Sequence, residues 1–245
     1  MHKLSHMVFR AGLTALALGM AGNARAAQTL VYSNNFEGGI GLAGAGSIQG
    51  TQSFPTVGNF FFRNDTVGNP AGLTTLTLSG LASHNVIDIN FLLAFIGSWD
   101  SRDGAPSPDN FDILIDGVVI ASLTSASASG SINDFAGGTL LADGDFGFGS
   151  GTFFEHDKLV DLSTAGALNF AHSASSITIG LRASGVGWQG GTDESWAVDN
   201  FRITIDTLGG SAVPEPTTWA MMLVGFAGIG AAARSRRKRA TLAIA

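Results

Sequence analysis

No cysteine occurs in the 245 residues, and that absence removes thiol catalysis, cysteine-ligated zinc and disulfide staples together. Charge is scarce too: 13% of residues are Asp, Glu, Lys or Arg, for a net of −6. The basic side chains sit mostly at the two ends. Residues 27–213 hold five of them (Arg63, Arg102, Lys158, Arg182 and Arg202) against 18 acids, a net of −13. A body of that sign with a single lysine is unsuited to phosphate backbones, which excludes nucleic-acid binding. Long apolar runs are confined to the termini, so the body is not a membrane domain. An exported domain without disulfides needs another way to hold its loops, and divalent cations are one.

Residues 1–26 have the three parts of a secretory signal. Lys3 and Arg10 form the basic start, Ala11 to Ala21 the apolar run, and Ala24-Arg25-Ala26 the small-x-small pattern for signal peptidase. Cleavage after Ala26 starts the mature chain at Ala27. The other end carries Val213-Pro214-Glu215-Pro216, an apolar stretch from Thr217 to Ala233 that includes Trp219, and a cluster of Arg234, Arg236, Arg237, Lys238 and Arg239. This is a rigid break, an apolar helix and a cationic stop. Seventeen helical residues span roughly 25 Å, marginal for a hydrocarbon core of about 30 Å. The basic cluster belongs on the cytoplasmic side. The expectation is a short, transient inner-membrane anchor.

This segment, residues 210–245, resembles the PEP-CTERM sorting signal of exopolysaccharide-producing Gram-negative bacteria, also called the ice-binding protein C-terminal domain. The Pro-Glu-Pro, the Trp-Ala-Met-Met-Leu run, the Gly-Phe pair and the arginine cluster carry the resemblance. It implies recognition by an exosortase, a membrane transpeptidase-like enzyme that cleaves near Pro214–Pro216. It implies nothing about the chemistry of the body, ice binding included.

Residues 27–209 read as short strands between glycine- and serine-rich turns, with no apolar period of helical length. Leu30–Tyr32, Phe60–Phe62, Leu73–Leu78, Val86–Ile96, Ile177–Leu181 and Phe201–Ile205 are the strand runs. Phe111–Ile120, with Asp116-Gly117 at its centre, reads as a hairpin on a type I′ turn. The pattern predicts an all-β, two-sheet antiparallel sandwich, a jelly roll of concanavalin A-like or carbohydrate-binding-module-like kind, followed by the short C-terminal hydrophobic helix. A β-solenoid is the rival, and the lack of a fixed repeat counts against it. Ser98–Asn110, with Asp100, Asp103 and Asp109, and Gly137–Gly151 read as long loops.

In the last strand Trp196 and Val198 share one parity while Phe201, Ile203 and Ile205 share the other. A strand keeping one face to the core must slip near Asp199-Asn200, and a β-bulge does that. First and last jelly-roll strands lie side by side, which brings Glu37 towards Asp199. Two such carboxylates repel unless a hard cation lies between them. Phe36-Glu37 with Val198-Asp199-Asn200 is similar to the pattern of calcium-bearing jelly-roll modules, carbohydrate-binding modules and MAM-type adhesion domains among them. That resemblance implies structural Ca2+ on Glu37 and Asp199, with Asn35 as a further ligand. The Asp100–Asp112 stretch lacks the alternating acids of an EF-hand and reads as a solubilising loop. Asp193-Glu194 reads as a turn before a core Trp196.

Sugar binding calls for exposed aromatic platforms. Trp188, set among Gly185, Gly187, Gly190 and Gly191, is the first candidate, and Trp99 the second. Catalysis has little to stand on. Glu155-His156-Asp157 cannot converge from adjacent strand positions, His84 and His172 are isolated in sequence, and no nucleophile elbow, zincin or phosphate-loop motif occurs. The expectation is an exported, non-enzymatic protein of the cell surface or extracellular matrix that binds or organises exopolysaccharide. A protein-adhesive role is the alternative, and a polysaccharide hydrolase or lyase the third.

Overall fold

Among the described residues, thirteen strands form where β-branched and aromatic residues alternate between turn residues. A computed structural model describes residues 27–50, 60–102, 108–127, 133–149, 154–207, 221–230 and Arg234. The signal segment 1–26, Asp103, Pro214, Glu215, Pro216, Trp219, Arg236 and Arg237 lie outside the described residues. The strands are β1 (Ala27–Asn34), β2 (Ala43–Gly44), β3 (Ser47–Gly50), β4 (Phe60–Asn64), β5 (Thr74–Ser79), β6 (His84–Gly97), β7 (Asn110–Ile115), β8 (Val118–Leu123), β9 (Thr139–Gly144), β10 (Asp157–Asp161), β11 (Asn169–Ala171), β12 (Ser176–Ser184) and β13 (Glu194–Thr207). One stretch expected as loop, Gly137–Gly151, therefore contains a strand: β9 pairs antiparallel along β10.

Two antiparallel sheets result. One has the path β3-β4-β13-β6-β10-β9, with β1 also on β13 and β11 also on β6; the other is β2-β5-β12-β7-β8. Take the eight principal strands in chain order as β1, β5, β6, β7, β8, β10, β12 and β13. The first sheet then runs first–eighth–third–sixth and the second runs second–seventh–fourth–fifth. That interleaving is a jelly roll. The β7–β8 hairpin turns on Asp116 (φ 50°) and Gly117 (φ 84°), the double positive φ that a type I′ turn needs.

The inward residues of β6 (Ile87, Ile89, Phe91, Leu93, Phe95), β7 (Phe111, Ile113), β12 (Ile177, Ile179, Leu181) and β13 (Trp196, Val198, Phe201, Ile203, Ile205) make one core. Phe111 and Trp196 meet across the two sheets at 5.0 Å between ring centroids. The far half of β6 is apolar on both faces because both are covered. Ala94 and Ile96 pack outward with Phe61, Phe146, Leu159 and Ala197 in a second cluster.

Chain clustering separates Ala26–Ser211 from a unit of Met1–Arg25 with Ala212–Ala245. In the latter, residues 221–230 are helical. Ten residues make about 15 Å of helix, and among the described residues no helix is long and apolar enough to cross a membrane.

Candidate functional site

The bulge expected in the last strand is present. The β13–β6 register shifts between Asp199 and Arg202, and Asn200 has φ 50°. On its other edge β13 changes partner at this same point. Trp196–Val198 pair with β4, whereas residues from Phe201 onward pair with β1. The gap between β4 and β1 is filled by the turn after β1. Asn34 Oδ1 accepts from Phe36 N at 2.7 Å and Asn35 Oδ1 from Glu37 N at 3.4 Å, so the chain reverses locally with Phe36 at φ 57°. Glu37 Oε1 then accepts from Phe60 N at 3.0 Å.

Asp199 is 1% exposed and accepts from Asn200 N at 2.6 Å. Burial first, and the Glu37 charge after it, push its carboxyl up to about 6. The Glu37 charge thus reaches the buried Asp199 carboxyl. Asn35 is exposed, and it lines a cavity of about 80 Å³ with Ser33, Asn34, Asn200, Phe201 and Arg202, a lining that includes neither Glu37 nor Asp199. The donors are all oxygen, two of them carboxylates, which is the chemistry of a hard cation. Among the described residues no three His, Asp or Glu side chains gather as a metal cluster, so amide and backbone oxygens would have to complete such a shell.

The tryptophans are placed otherwise than expected. Trp188 is 6% exposed and Trp99 1%, so neither offers a platform to a sugar. Trp188 Nε1 donates to Thr66 O at 3.1 Å and Trp99 Nε1 to Ser195 O at 2.9 Å. The physical reason lies in the flanking glycines. Gly185 (φ 110°) lies where an added Cβ would stand 2.0 Å from Pro108 O, and Gly190 (φ 69°) where it would stand 2.7 Å from Thr66 O. Those close approaches let the 185–191 loop fold down and press Trp188 inward. Trp196 is fully buried, as its parity indicates.

The acids around this corner are not a solvated loop. Asp109 is 0% exposed and Glu194 1%, and Glu194 is the first residue of β13 rather than a turn residue. Burial raises both carboxyls, Asp109 to about 7 and Glu194 to about 9, with acidic neighbours adding to it. Parity carries the signal that finds them. Asp109 continues the inward row of Phe111 and Ile113, and Glu194 that of Trp196 and Val198.

His84 and His172, isolated in sequence, are paired in the fold: Nε2 and Nδ1 lie 2.7 Å apart and the rings stack at 5.0 Å. His172 lines an open cleft of about 620 Å³ with Asn85, Asp116, Ala171, Ser173 and Ala174. Of Glu155, His156 and Asp157, expected as adjacent strand positions, only Asp157 is in a strand; the other two are in the turn before β10. His156 Nδ1 bonds Asp143 at 2.9 Å on the surface, while Asp157 is buried and accepts from Gly97 N at 2.7 Å and Phe146 N at 3.1 Å.

Residues 212–238 fit the model of the PEP-CTERM protein-sorting motif. The tail carries that sorting motif. Within the matched stretch only 221–230 and Arg234 are described, helical and exposed. No curated protein matches the chain. Among solved structures, the CBM22-1 xylan-binding domain of Paenibacillus barcinonensis Xyn10C is similar over 76% of this chain and 100% of its own, at 13% identity and TM-score 0.37. The CBM22-1-GH10 modules of Clostridium thermocellum endo-1,4-beta-D-xylanase 10B align over 77% and 30%, at 8% identity and TM-score 0.36. The Agl-KA catalytic domain aligns over 72% and 28%, at 12% identity and TM-score 0.31.

Proposed function

We propose that this chain is an exosortase-processed, non-enzymatic protein of the cell surface or extracellular matrix that binds or organises exopolysaccharide and holds a structural calcium between Glu37 and Asp199. The observation that carries the reading is the sorting motif at 212–238, attached to an acidic jelly-roll body. Signal peptidase removes residues 1–26, the tail holds the chain briefly in the inner membrane, and exosortase cleaves near Pro214–Pro216. Replacing Pro214, Glu215 and Pro216 by alanine should leave an uncleaved, membrane-retained chain; normal processing of that variant would contradict the sorting step.

With Trp99 and Trp188 buried, the cleft at His172 is the seat we assign to the glycan. Asn85, Asp116, His172 and Ser173 supply donors and acceptors suited to hydroxyl groups. Calcium at Glu37 and Asp199 would neutralise a buried carboxylate that bears on a second one and tie β1, β4 and β13 together at the bulge. One observation favours the protein-adhesive alternative. Val118, Val119 and Ile120 on edge strand β8 are 66, 43 and 36% exposed, an apolar edge that another strand can extend. Retention on exopolysaccharide that is lost in Asn85→Ala/His172→Ala supports the glycan reading, and retention unchanged by it removes that cleft.

A further inference from the structure

Glu194, the first residue of β13, and Asp109, the residue just before β7, occupy matching places at the ends of strands of the two sheets. Each is the next inward position beyond an aromatic residue, Trp196 on β13 and Phe111 before it on β7, and those two rings touch across the sandwich at 5.0 Å. Both carboxylates lie towards the same end. Glu194 pairs with Gly97 at the end of β6, Ser98 N donates to Asp193 O at 3.1 Å, and Asp109 N donates to Asp100 O at 2.9 Å. Asp109 Oδ2 accepts from Asp100 N at 2.5 Å and Glu194 Oε2 from Gln189 N at 3.4 Å.

Among the described residues, three oxygens at this corner are buried and have no partner: Asp109 Oδ1, Glu194 Oε1 and Ser98 Oγ. They come from residues that are 0, 1 and 9% exposed. Among the described residues, the charged groups that bear on the two carboxyls are Asp100 and Asp193, with Asp109 bearing also on Glu194, and all are acidic. Unpaired buried carboxylates are too costly to persist. Protonation removes charge, and one proton shared between Asp109 and Glu194 serves both of them, yet it leaves Ser98 Oγ without a partner. A divalent cation resolves both: two carboxylates cancel its charge, and the three free oxygens become ligands.

We propose that Asp109, Glu194 and Ser98 form a hard-cation site, with calcium the fitting ion, at the end of the sandwich where β6 stops and β7 and β13 begin. It is separate from the calcium proposed at Glu37 and Asp199, because Asp199 is five residues further along β13, about 17 Å at strand rise. Its role is to tie two loops to the core in a chain with no disulfide.

The test uses the full chain, freed of metal by chelator and titrated with calcium by calorimetry and with terbium by tryptophan-sensitised emission. Trp99, beside Ser98, is the sensitiser. The expected result is two calcium ions per chain, of which Asp109→Asn/Glu194→Gln loses one together with most of the emission. Glu37→Gln/Asp199→Asn loses the other and keeps the emission. Should the first variant fail to fold by near-ultraviolet circular dichroism, Ser98→Ala serves, with calcium affinity at this site expected to fall at least about tenfold. A chain that binds one ion, lost in Glu37→Gln/Asp199→Asn and kept in Asp109→Asn/Glu194→Gln, overturns this site alone. A chain whose single ion is lost only in Asp109→Asn/Glu194→Gln overturns the Glu37–Asp199 site alone. No binding at millimolar calcium overturns both.

Discussion

Trp99 and Trp188 lie ring against ring, 5.3 Å between centroids, and join two loops that are 89 positions apart in the chain. Trp99 in turn stands edge-on to Phe95 at 4.8 Å. This contact makes Trp188 a structural residue. Trp188→Ala should lower folding stability by about 3–5 kcal/mol, the usual cost of emptying a buried aromatic site. Urea unfolding measures it, and an unchanged midpoint would contradict the burial argument.

The same loop depends on its backbone. Gly185 adopts φ 110°, and a Cβ there would collide with Pro108 O. Gly185→Ala is expected to destabilise by more than about 1 kcal/mol. It should also raise the fluorescence quenching of Trp188 by acrylamide, since the loop can no longer seat. Wild-type quenching in that variant would count against the loop's role.

Asp157 gives a pH signature. Burial holds its carboxyl up at about 6 against the pull of two backbone N–H bonds. A folded value above the unfolded one, near 4, means that the folded state keeps a proton which the unfolded chain has released. The stability this group contributes is therefore largest below pH 4 and declines as pH rises through 6. Relative to Asp157→Asn, the wild type should lose up to about 3 kcal/mol between pH 4 and pH 7. A difference that stays flat across that range would refute the assignment.

The bulge site has its own readout. Calcium at about 100 times its Kd adds about 2.7 kcal/mol to the folded state, so it should raise the melting temperature and chelator should lower it. In Glu37→Gln/Asp199→Asn the portion of the shift owed to that site should vanish. A variant with the full shift would remove calcium from the junction of β1, β4 and β13.

What could be read in advance was whatever depends on local alternation. The parity change between Val198 and Phe201 located the bulge, Asp116-Gly117 located the hairpin, and the outer runs located β1 beside β13. The fate of Trp188 was not legible. Glycines on either side are equally compatible with an exposed ring and with a loop that folds down, and the choice rests on Pro108 and Thr66, remote in sequence. Asp109 and Glu194 were hidden by their company. Each neighbours another acid or a turn residue, which suggests solvent, although each shares parity with core aromatics. The His84–His172 pair forms only because β11 lies along β6, a pairing set by the whole sheet.

The proposed function makes the body a polysaccharide-binding module delivered by its tail. The most direct measurement is titration of the protein with purified exopolysaccharide from its source organism, once in calcium and once in chelator. The account predicts saturable binding in calcium that weakens in chelator and is lost in Asn85→Ala/His172→Ala. Absence of binding in both buffers would contradict it and move the protein to an adhesive role with a protein partner.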